Sequence, residues 1–73
     1  MSIYTIIVTN NAPGCAAEIE QQLTVTGCTS YIVRLASNSN ALGPFNVYVD
    51  PTLIYSAVTR DNMLLGVVVN LQC

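Results

Sequence analysis

The stretch "CAAEIEQQLTVTG", residues 15–27, fits two periodicities at once, and its reading decides the fold class. Ala16, Ile19 and Leu23 recur at helical spacing, and Ala, Glu and Gln favour helix. Ile19, Leu23 and Val25 also form one face of a strand, with Glu18, Glu20, Gln22 and Thr24 opposite. The "LTVTG" ending and strand-like sequence on both sides favour the strand. With that choice the whole chain reads as all-β.

The flanks carry the same period of two. In "SIYTIIVTN" (residues 2–10) Ile3, Thr5 and Ile7 share one face, while Tyr4, Ile6 and Val8 take the other. Both faces are substantially apolar, as in a strand covered on two sides. "NNAPG" at 10–14 breaks the chain with turn chemistry. In "TSYIVRLAS" (29–37) Tyr31, Val33 and Leu35 oppose Ile32, Arg34 and Ala36, which predicts a strand with Arg34 in its middle. "NSNALGP" then loops. "FNVYV" and "LIYSAV", joined by Asp50-Pro51-Thr52, predict a hairpin over 45–58.

"TRDNMLLG" (59–66) changes rhythm. Thr59 or Asp61 can accept from the free amides of a helical turn, and Gly66 can end it in the left-handed conformation. "VVVNLQ" (67–72) is a last strand, with Val67, Val69 and Leu71 on one face and Val68 opposite. The sum is a single β domain over residues 1–73. It is a small antiparallel β-sandwich or partly open barrel of about six strands, with one short helical turn near 60–66.

Composition bounds the function. Hydrophobic residues make up 52% of the 73 and charged residues 8%, against roughly 25% charged in ordinary domains. A chain this short buries only about 60% of the surface its unfolded form exposes. It therefore holds more apolar side chains than its interior can take, and such surplus marks protein contacts. The only cations are Arg34 and Arg60, too few to neutralise a run of phosphates, so nucleic acid is not an expected partner. The longest apolar-plus-glycine run, Met63–Val69, falls far short of the ~20 residues of a spanning helix, so neither is a membrane. "MSIYTIIVTNN" has no basic n-region and is read as a first strand, not a leader peptide.

Chemistry is sparse. There is no His, Lys or Trp to serve the hydroxyls as a base. Glu18 and Glu20 would share a solvated strand face, while Asp50 and Asp61 sit at a turn and a cap. The expectation is a protein that is not an enzyme, with no catalytic residue, no metal site and no cofactor. A Cys15–Cys28 bridge would add about 3 kcal/mol in a small secreted protein. Without a secretion signal, the favoured reading is small buried thiols that stay reduced, with Cys73 a packing residue.

An interface is the remaining role. Edge strands normally carry Lys as a guard against pairing, and this chain has none. At least one edge, the first strand or the last, is expected to pair with or pack on another chain. The candidate interface residues are Tyr4, Ile6, Val8, Arg34, Leu64, Val68 and Leu71. Arg34 has two readings of equal weight: a partner-facing cation, or a solvent-facing residue whose stem covers apolar neighbours.

"TSYIVRLASNSNALGPFNVYVDPTLIYSAVTRDNMLLGVVVNL", residues 29–71, resembles small β domains of tailed-bacteriophage virion proteins, including capsid cement or decoration proteins and fibre modules. The likeness lies in the order of strand, Asn/Ser-rich Gly-Pro loop, "FNVYVD" hairpin and "VTRDNMLLGV". It implies a homo-oligomer that binds the major capsid protein on the virion surface after synthesis in the host cytoplasm. The alternative it implies is a fibre or adhesin-type module presenting loops to a glycan or other partner.

Overall fold

A computed structural model describes residues 2–72. Six strands and one helix follow in order: β1 (Ile3–Asn10), β2 (Glu18–Thr26), β3 (Thr29–Val33), β4 (Phe45–Val49), β5 (Thr52–Val58), α1 (Arg60–Leu65) and β6 (Val67–Leu71). The first sheet runs β2-β1-β4-β5 and the second is the pair β3-β6. Every pairing is antiparallel. The small antiparallel all-β fold with one short helix is the one read from the sequence.

The core lies between the sheets. Ile6 and Val8 of β1 and Phe45 and Val47 of β4 face Val33, Val69 and Leu71 of the second sheet, with Leu35 and Met63 completing the cluster. Full burial of a side chain of this size contributes roughly 1.5–3 kcal/mol. No polar or charged residue is buried among the described residues. The alternation in β4 and β6 is the one the fold uses, and of the two apolar faces of β1 it is that of Ile6 and Val8 that is buried.

Four expectations about the strands need correction. The first strand is not an edge: β1 lies between β2 and β4, where its two apolar faces and full backbone pairing are best satisfied. Ile19 does not join Leu23 and Val25. The β1–β2 register shifts between Val8 and Thr9, so Val8 pairs with Gln21 but Thr9 with Ile19, and Glu20 is the extra residue. That bulge inverts the alternation and leaves Ile19 60% exposed. Glu18 stands opposite Asn10, while the Glu20 carboxylate accepts from Ser39 Oγ, so the two acids do not share a plain strand face. Finally, β3 stops at Val33; Arg34 lies beyond its end, because the Leu35 amide turns to bond Met63 O at 2.8 Å.

The helix is capped as its sequence requires. Thr59 is the N-cap, and its Oγ1 accepts from the Asn62 amide at 3.3 Å. Asp61 sits in the first turn, where the helix dipole favours an anion. Gly66 ends the helix at φ 105° and ψ 149°, a positive-φ extended conformation and not the left-handed turn expected. A Cβ there would lie 2.6 Å from Ile32 Cγ2 and 2.9 Å from Arg34 Cγ, so close approach also selects glycine. The Arg60 guanidinium donates to Ala41 O and Ser39 O and ties the long 34–44 connection to α1.

Candidate functional site

The seven residues singled out from sequence separate into three groups. Ile6, Val8 and Leu71 are at most 6% exposed and belong to the protein's own core, so they cannot face a neighbour in this fold. Their apolar face was the correct one for burial, and it is the opposite face of β1 that is left outside. Tyr4 is half-buried, with its hydroxyl donating to Gln72 O at 2.9 Å. Arg34, Leu64 and Val68 are exposed. Val68 pairs with Ile32 on the outer face of the second sheet, and the Arg34 stem reaches the same place beside Gly66. Exposed and set beside Gly66, Arg34 fits either of its two readings. Leu64 stands on α1.

The larger exposed surface was missed. On the outer face of the four-stranded sheet, Ile7 stands between Gln22 and Tyr48, and Tyr48 is opposite Leu53. Ile3 and Ile19 flank that row. Ile3 is 67% exposed and Leu53 46%. The outward partners of these ladders are Ile, Tyr, Leu, Thr, Asn and Gln, with no charge among them. Thr5 and Thr9 were the available signal, since hydroxyl-bearing residues at alternate positions mark the wetter of two apolar faces.

The two sheets meet differently on their two sides. On the β2–β3 side a short turn joins the strands, Gln21 Nε2 donates to Arg34 O at 2.8 Å, and Ser39 bonds Glu20. On the β5–β6 side Tyr55 Oη reaches across the gap and donates to Val68 O at 2.6 Å. Beyond that contact the seam opens into a cleft of about 430 Å³. Tyr4 and Val49 line it together with Thr52 and Ile54 of β5 and Asn70 and Leu71 of β6. Asp50 is the one charged residue lining it. Asp50 holds the hairpin to β1: its Oδ1 accepts from the Thr5 amide at 3.0 Å, and its own amide donates to Thr5 O at 2.7 Å.

Both described cysteines depart from expectation. Cys28 is exposed and disulfide-bonded, and Cys15 is exposed and free. A Cys15–Cys28 bridge is thus excluded, and neither residue is the buried thiol the sequence suggested. Cys73 lies outside the described residues. Among the described residues no group of three or more His, Cys, Asp or Glu side chains could hold a metal ion. No described helix is long and apolar enough to cross a membrane. Compared with protein-family models, curated proteins and solved structures, the chain matches none.

Proposed function

We propose that the protein is a structural component of a virion, a capsid cement or decoration protein of a tailed bacteriophage. It acts without catalysis, associating with copies of itself and binding the major capsid protein. The observation that carries this reading is the balance of surface and core. Among the described residues nine large hydrophobics are exposed, as many as the nine that form the core. Those on the outer face of the large sheet share it with neutral polar residues only. Apolar surface of this kind gains free energy when another protein covers it.

Sedimentation velocity and electron microscopy of purified particles test the reading together. A self-associating chain and regular icosahedral density support it. A clean monomer at micromolar concentration, with no density on any shell, overturns it. A flexible projection in place of shell density would favour the fibre or adhesin-type module. One observation favours a further reading, a small secreted protein: the exposed disulfide at Cys28 suits an oxidising setting. Virion surfaces are also such a setting, so recovery of the chain with particles or free in the medium separates the two.

A further inference from the structure

We propose that the β5–β6 seam is a strand-accepting groove, filled by an extended segment of a different protein that is apolar at alternate positions and carries one basic residue. Each wall of the seam is an unpaired edge: β5 has β4 as its sole sheet neighbour, and β6 has β3. The β6 wall is aimed correctly. Tyr55 Oη bonds Val68 O, so the main-chain groups of Val68 point away from β3 and into the seam. Strand alternation turns those of Asn70 the same way. An incoming strand would therefore find amide and carbonyl groups spaced for pairing, which is how edge addition gives affinity.

The cleft sets the side-chain chemistry. Its floor of Tyr4 and Val49 and its walls at Ile54 and Leu71 accept an aliphatic side chain. At the rim, Asp50 supplies the sole charge, so a Lys or Arg of the segment is the complementary residue. Nothing guards the opening, because β5 and β6 contain no charged residue.

The segment is that of another protein: among the described residues the longest stretch outside strand and helix, 34–44, is held by Arg60, by the Ser39–Glu20 bond and by the Gly43 amide donating to Asn10 Oδ1 at 3.1 Å. The groove rests on these edges and does not depend on the virion reading.

The test uses ¹⁵N-labelled full chain and a capped heptapeptide of alternating valine and threonine with one lysine. The expected result is saturable shifts of the Thr52, Ile54, Val68 and Asn70 amides, with slowed hydrogen exchange along β6. Methylating alternate peptide nitrogens should abolish the shifts, as should Ile54→Lys in a chain whose circular dichroism is unchanged. Asp50→Asn keeps an acceptor for the Thr5 amide and should weaken the lysine peptide by no more than about fivefold, leaving its norleucine counterpart unaffected. No shifts at millimolar peptide, or equal binding of the methylated peptide, would overturn the groove. Shifts of the Val68 and Asn70 amides with chain concentration, in the absence of peptide, would overturn the choice of a foreign partner in favour of a second copy.

Discussion

Gly66 shows how much one position can carry. It ends α1, starts the run into β6, and lets the helix terminus sit against Ile32 and the Arg34 stem. Gly66→Ala must either shift those side chains or abandon a φ of 105° that L residues rarely adopt. The expected cost is about 2–3 kcal/mol, read as a fall in the urea midpoint with an unchanged slope. A loss below about 0.5 kcal/mol would show that the junction relaxes freely. The cysteines offer a second test at this scale. Alkylation of the denatured chain without reductant should label Cys15 and leave Cys28 unlabelled until reductant is added. Labelling of Cys28 at the first step would contradict its bond. The sequence favoured reduced thiols and erred at Cys28, because an odd count of three does not say which pair, if any, is bridged.

At the scale of the element, β1 joins what was legible to what was not. Its two apolar faces were plain in "IYTIIVTN", but period two alone does not say which face the second sheet covers. The fold chooses Ile6 and Val8, which stand beside Phe45 and Val47 and oppose the second sheet. Ile6→Ala should cost about 2–5 kcal/mol, whereas Ile7→Thr on the outer face should cost under about 1 kcal/mol. Equal losses measured by chemical denaturation would mean that the outer face is packed within the monomer. The hairpin, the Thr59 cap and the last strand were readable because each depends on local chemistry: turn residues, a hydroxyl before a helix, alternating valines. The bulge at Glu20 was not, since it arises from pairing with β1 and leaves no mark in β2 alone. For the same reason Ile19, assigned to the core stripe, lies outside it.

On the scale of the whole molecule, the decisive quantity is apolar surface left uncovered by so few residues. A domain of this size has a stability of only about 4–11 kcal/mol, so association that covers further apolar area changes its folding equilibrium appreciably. Two faces compete for that role. The second sheet exposes the Ile32–Val68 pair, but the Arg34 stem lies beside it and holds a charge close by. The four-stranded sheet presents a broader and neutral row through Ile7, Tyr48 and Leu53, extended by Ile3. Copies of the chain should therefore meet through the larger face. Replacing both Ile3 and Leu53 with Lys puts two like charges on that face without touching the core. The double variant should sediment as a monomer, and its Tm should lack the dependence on protein concentration expected of the parent. The matched variant Ile32→Lys with Val68→Lys should keep both the association and that dependence. The reverse outcome would move the self-association surface to the second sheet, and a parent whose Tm is independent of concentration would remove the role of self-association altogether.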